Sequence, residues 1–217
     1  MANPKEFWRS RLDVPNYRVR DAARYAHISA ATVTRWHSDT TLRARTDGKQ
    51  LSYLQLIELA VVAACRKSGM KLVAIRKARE YLARQFGEEN PFATLRLKTD
   101  GVDLLMDHGS EFLVANMNGQ LAWKQCLSEK LQEFEYEGGL AARWHLAGAK
   151  SPVMIDPRIQ FGVPAVNGVP TWIMSGRYAA GEDIASIAED FGLPASSVTE
   201  ALLFEGLTSK DGSVWSH

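Results

Sequence analysis

The run Ala30-Ala31-Thr32-Val33-Thr34-Arg35-Trp36-His37 gathers small residues, hydroxyls, a guanidinium and an imidazole within about two helical turns. Small residues at a helix start let its backbone approach a groove, and hydrogen-bonding side chains on the outer face then reach base edges and phosphates. Thr32, Thr34, Arg35 and His37 are the candidates for those contacts, with Val33 and Trp36 turned to the core. Arg18 and Arg20 stand at the start of the preceding helix, a position that favours phosphate. Arg43, Arg45 and Lys49 follow in a basic hairpin. This is the chemistry of recognising double-stranded DNA. If six such contacts form, log K falls with log salt at a slope of about −5.

Charge agrees. The 217 residues carry a net charge of +1, but residues 1–90 hold 17 Lys/Arg against 9 Asp/Glu, and residues 91–217 hold 9 against 16. One half suits a polyanion and the other repels it. The basic half is rich in arginine, whose planar fork matches phosphate and guanine.

Other chemistry finds less support. Asp100, Asp103, Asp107 and His108 lie close together, but carboxylates in a turn-rich stretch read as solvated loop residues. Ser68-Gly69-Met70-Lys71 matches SxxK at a helix–helix turn, where serine and glycine are expected anyway. The histidines show no HxxxH or HExxH spacing, and there is no phosphate loop or GxGxxG. No catalytic residue, metal site or cofactor is expected. The longest apolar run, Leu54 to Cys65, is cut by Gln55 and Glu58 and falls short of a membrane span. The start has no signal-peptide character, and Cys65 and Cys126 form no CxxC, so a cytoplasmic location is expected.

The elements that position the basic residues can be read from periodicity. Arg18–Ala26 and Ala30–His37 are short helices around the turn His27-Ile28-Ser29, with Ser29 as cap: a helix-turn-helix. Asp47-Gly48 between two β-capable runs signals a hairpin, the wing. Ser52 caps a helix carrying Leu54, Ile57, Val61 and Ala64, which Gly69 ends. A last helix spans Leu72 to Phe86. Thr94–Thr99 alternates as a strand does, Asp100-Gly101 and Asn118-Gly119 signal turns, and Gln132–Tyr136 with Leu140–Leu146 reads as a hairpin around Glu137-Gly138-Gly139. A short helix is expected near Trp123 to Leu131. Gly148 to Pro152 suggests a linker. Beyond it, Trp172–Ala179, Ile184–Phe191 and a helix to Phe204, capped by Ser196 or Ser197, give a second helix-turn-helix shape around Gly192-Leu193-Pro194. No repeat at a fixed period is seen.

The fold expected is α+β, mainly α. It has an N-terminal arm (1–16), a winged helix-turn-helix (17–89), a β-rich middle part (90–150) and a C-terminal helical, helix-turn-helix-like domain with its tail (151–217). The stretches Tyr17 to Tyr25 and Ile28 to Trp36, with the aromatic Trp36 closing the second helix, resemble the winged helix-turn-helix of MerR-type regulators. Leu51 to Leu59 and Arg66 to Arg76 are similar to the helices that follow the wing in that family. No long dimerisation helix and no metal-sensing cysteines follow.

Ile155-Asp156-Pro157-Arg158-Ile159, Phe161 to Thr171 and Ala180-Gly181-Glu182, with Ile184, Ile187 to Leu193, Val198 and Ala201-Leu202, resemble the domain-of-unknown-function 433 family. That resemblance implies a VapB-like antitoxin of a type II toxin–antitoxin system, whose partner is a PIN-like ribonuclease toxin. Val169 stands where the family usually has an arginine. From Tyr178 to Leu207 there are six acidic residues and no Lys or Arg, so charge argues for a protein partner or dimerisation rather than DNA here. An antitoxin can silence a metal nuclease by placing a cation or an aromatic plug over its acidic site. Arg158, Arg177, Lys210 and Trp215 are the toxin-binding candidates.

The expectation is therefore an antitoxin that binds operator DNA as a homodimer and represses its own operon, with no membrane partner. The alternative is a MerR-like transcriptional regulator that responds to a small-molecule effector held in the middle part. An enzyme is the third class.

Overall fold

The computed structural model describes residues 8–38, 50–107 and 117–207. The chain divides into two compact units, Met1–Ala142 and Arg143–His217.

In the first unit two short strands, β1 (Tyr17–Arg18) and β2 (Gln50–Leu51), pair antiparallel with Tyr17 opposite Leu51. Helices α1 (Val19–Tyr25) and α2 (Ala30–Ser38) lie between them in sequence. Next comes α3 (Tyr53–Lys67), buried at every residue from Tyr53 to Cys65. A helix apolar on all sides is a core helix. The two polar residues that interrupt its apolar run each have a structural use. Gln55 completes a capping box with Ser52, its amide bonding the Ser52 Oγ at 3.3 Å and its Oε1 accepting from the Ser52 amide at 2.9 Å. Glu58 is 1% exposed and accepts from the Arg79 Nε and, at 2.7 Å, from the Phe92 amide. It thereby ties α3 to α4 (Leu72–Phe86) and to the 3-10 turn Pro91–Ala93. Burial pushes the Glu58 carboxyl up, against the opposing pull of Arg79 and the Phe92 amide. Arg79 also donates to the Glu89 carbonyl, so this arginine belongs to the core rather than to a basic surface.

The expected β-rich middle is corrected by the structure. Among the described residues of that stretch the strands are β3 (Phe134–Glu137) and β4 (Leu140–His145), joined at Gly138-Gly139. Leu97–Gly101 is a π-helical turn running into α5 (Val102–Asp107), and α6 spans Met117–Gln132. Leu97, Val102 and Leu105 are buried, a helical spacing that the alternation of Thr94–Thr99 masked. Asp100-Gly101 makes no turn: Gly101 lies inside the helical stretch, and a Cβ there would come within 3.2 Å of the Phe86 ring and 3.1 Å of Leu97. Asn118-Gly119 likewise falls within α6. The wing, with its Asp47-Gly48, lies outside the described residues.

The second unit begins inside β4, whose end pairs antiparallel with β5 (Met154–Ile155), Trp144 opposite Ile155. Within this unit the strands continue through β6 (Ala165–Val166) and β7 (Val169–Pro170), in the order β4-β5-β6-β7. Gly148–Pro152 is the turn between β4 and β5 rather than a linker: Ser151 is buried, and the Leu146 amide bonds the Val153 carbonyl at 3.0 Å. Asn167 (φ 47°) and Gly168 (φ 84°) form the two-residue turn from β6 to β7. This is the Asn-Gly hairpin signal, overlooked in the sequence among the surrounding prolines. Helices α7 (Thr171–Ala179), α8 (Ile184–Phe191) and α9 (Ala195–Phe204) complete the unit around Met174, Ile187, Val198 and Ala201. The N-cap of α9 is Pro194, not Ser196 or Ser197. Among the described residues no helix is long and apolar enough to cross a membrane.

Candidate functional site

The joint between α1 and α2 is built by backbone geometry. His27 adopts a left-handed conformation (φ 53°), the Ile28 amide bonds the Ala23 carbonyl at 3.0 Å, and the His27 amide bonds the Arg24 carbonyl at 3.2 Å. These paired bonds close a helix end and redirect the chain. Ser29 then caps α2, its Oγ accepting from the Thr32 amide at 3.1 Å.

This joint sorts the side chains of α2. Val33 and Trp36 are buried, as their spacing requires. Ala30, Ala31, Thr34 and Arg35 are exposed on the opposite side. The Thr34 Oγ1 donates to the Ala30 carbonyl at 3.0 Å, which fixes its rotamer. Thr32 is half-buried, and its hydroxyl shares a 2.8 Å hydrogen bond with Ser29, so it is partly committed to the cap. Arg18 is exposed at the N-cap position of α1. Arg20 is exposed, 3.7 Å from the Asp21 carboxylate. The structure thus sets Arg18, Arg20, Thr34 and Arg35 on the outside of one helix pair. His37 belongs to α2, but its side chain is outside the description, and Arg43, Arg45 and Lys49 lie outside the described residues.

The toxin-binding candidates fare differently. Arg158 grips Asp156 through its Nε at 2.9 Å and Nη2 at 2.8 Å, and Arg143 approaches the same carboxylate at 3.2 Å. Asp156 is buried, which alone would raise its carboxyl, but the hydrogen bonds and charge of Arg158, with the charge of Arg143, hold it below the usual range. Arg177 is chelated by Glu182 and Asp190, and its guanidinium stacks over the Phe191 ring at 5.2 Å. Both arginines are therefore tied up within their own unit. Lys210 and Trp215 lie outside the described residues.

The described residues hold no group of three or more metal-ligating side chains. Asp103 makes an ion pair with Lys124 at 2.8 Å, and Ser68 donates to the Cys65 carbonyl at the end of α3.

A fixed-offset correspondence within the chain escaped the sequence reading. In α8–α9 the Leu193 amide bonds the Ala188 carbonyl and the Gly192 amide the Glu189 carbonyl, matching Ile28–Ala23 and His27–Arg24. His27 and Gly192, both left-handed, are 165 residues apart, and so are the buried pairs Ala23/Ala188 and Val33/Val198. At the same offset Arg18, Arg24 and Arg35 correspond to Asp183, Glu189 and Glu200. Comparing Ala30–Trp36 with Ala195–Ala201 would have revealed it.

No family model matches the chain. Over 226 aligned residues the chain is 24% identical to a Mycobacterium tuberculosis (strain ATCC 25618 / H37Rv) protein named "Putative antitoxin VapB45", covering 88% of this chain and 94% of that protein. It shares its fold with the X-ray crystal structure of Rv2018 from Mycobacterium tuberculosis, at a TM-score of 0.76 and 23% identity, over 88% of this chain and 99% of that one.

Proposed function

We propose that the chain is the antitoxin of a type II toxin–antitoxin pair. In this reading it neutralises a PIN-like ribonuclease toxin and represses its own operon as a homodimer in the cytoplasm. The observation that carries the proposal is the likeness to the VapB45 relative, which runs through 88% of this chain and 94% of that protein. DNA binding is assigned to residues 17–89, where a capped helix pair presents Arg18, Arg20, Thr34 and Arg35 outward. Toxin binding or dimerisation is assigned to residues 151–217. If toxin favours the DNA-competent arrangement, operator DNA must favour toxin binding by the same factor.

Co-expression with the adjacent open reading frame tests this. The expected result is growth arrest by the neighbour alone, relieved by this chain in a stable complex. A harmless neighbour that forms no complex overturns the antitoxin assignment.

One observation favours a second reading, an effector-responsive regulator of MerR type. A cleft of about 570 Å³ in the first unit is lined by Thr32, Arg35 and Trp36 of α2, Ala60 and Ala64 of α3, and Cys126 of α6. A ligand there would touch the DNA-reading helix directly. An effector that shifts operator affinity, with no toxin encoded nearby, would select this reading.

A further inference from the structure

In the second unit three large apolar side chains stand exposed within residues 159–172, the stretch that contains the β6–β7 hairpin. Phe161 is 67% exposed, Trp172 62% and Ile159 37%. Ile159 reaches the β6–β7 turn, its Cγ2 3.9 Å from where a Cβ would sit on Gly168. Trp172 opens α7 at the other end, next to Thr171, whose amide bonds the Pro164 carbonyl at 3.0 Å. Gln160 and Phe161 both have left-handed backbones, at φ 48° and 58°. Two successive side-chain-bearing residues in that region are unfavourable, and strain of this kind gathers at functional segments. Here it accompanies an outward phenylalanine.

Apart from Arg158 and Arg177, both paired with carboxylates, the charged residues from 158 to 207 are all acids. Glu205 accepts a hydrogen bond from the Thr171 hydroxyl beside Trp172, and Asp183, Glu189 and Asp190 are exposed. Between Ile159 and Leu207 the only Lys or Arg is Arg177, already held by Glu182 and Asp190. A second copy offering the same face would set acid against acid. A partner with cations around apolar sockets is the matching occupant.

We infer that Ile159, Phe161 and Trp172 are the anchor on which the toxin docks, the toxin presenting a basic rim around sockets for the two aromatic rings. This rests on the antitoxin reading. It also explains why Arg158 and Arg177, engaged by their own carboxylates, are not needed as the contact. Buried aromatic anchors dominate interfaces of this kind.

The test titrates the full chain against the purified product of the neighbouring gene. Joint Phe161→Ala and Trp172→Ala substitution should weaken binding by about 100-fold or more, because each is a central aromatic contact. Val73→Ala, at an exposed apolar residue of the first unit, should leave binding unchanged. The unfolding midpoint and operator affinity of the double variant should match wild type. In the unmodified complex, hydrogen exchange should slow across residues 158–173, a readout independent of any variant's folding. Tight wild-type binding with neither exchange protection nor loss in the double variant overturns the docking site and leaves the antitoxin reading standing. A neighbour product that does not bind the wild-type chain overturns both.

Discussion

The two helix pairs, α1–α2 and α8–α9, are near copies in backbone and opposites in charge. Both turn on a left-handed residue, both close the first helix with the same pair of amide bonds, and both bury a valine three residues into the second helix. Thr34 and Thr199 even make the same 3.0 Å bond to the carbonyl four residues back. What separates them is the outer face. Arg35 is exposed, whereas its counterpart Glu200 is half-buried and accepts a hydrogen bond from Ser151 in the turn between β4 and β5. The first pair can offer its second helix to a groove. The second has turned the equivalent position toward its own unit and carries acids that phosphate would repel. A two-helix shape alone therefore does not point to DNA; the proposal of DNA binding by α1–α2 rests on the sign and accessibility of a few side chains.

Each unit is also locked by one buried carboxylate. The largest expected effect is at Glu58. Glu58→Ala leaves the Arg79 guanidinium buried without its counter-charge, and breaking a buried pair this way costs about 3–5 kcal/mol. Urea unfolding should show the loss in the transition of the first unit. Asp156→Asn comes next, removing charged acceptors from Arg158 and Arg143, at about 1.5–3 kcal/mol on the scale of charge-assisted hydrogen bonds. Its pH dependence follows from the lowered carboxyl. The Asp156 contribution is full above the unfolded-state value of about 3.9 and disappears as pH falls through the lower folded value. The wild-type second unit should lose stability over that acid range, and Asp156→Asn should flatten that limb. An unchanged acid limb would remove Asp156 as its lock.

Smaller effects sharpen the comparison of the two turns. Gly192→Ala should cost about 1–2 kcal/mol, the ordinary price of a left-handed L-residue, since nothing lies within 4 Å of the new Cβ. His27 already bears that cost in the first pair. Ser29→Ala should cost about 1 kcal/mol by removing the cap of α2. Pro194, which makes no side-chain capping bond, has no equivalent to lose. Thermal unfolding of these single variants checks both.

Much of this was legible in the sequence. Helical spacing and caps located α1, α2, α3, α4 and α8 closely, because local periodicity and capping chemistry decide such elements. The middle part was misread because Thr94–Thr99 alternates over too short a span to overrule the helical spacing of Leu97, Val102 and Leu105. Asp100-Gly101 looked like a turn, but its glycine serves close packing against Phe86. In the site, Val33 and Trp36 were legible as core because an amphipathic helix has a fixed period. The engagement of Arg79, Arg158 and Arg177 was not, since a carboxylate partner distant in sequence or across a turn leaves no periodic trace.

The most direct test of the contrast between the helix pairs is fluorescence anisotropy of the full chain on DNA from upstream of its own gene, over a range of salt. Joint Arg18→Ala and Arg35→Ala substitution should weaken binding by about 10- to 1000-fold and make the salt slope shallower by up to about 2. Joint Ser196→Ala and Thr199→Ala substitution, at the equivalent face of α9, should leave both affinity and slope at wild-type values. Unchanged binding in the first variant together with lost binding in the second would contradict the assignment of DNA recognition to α1–α2.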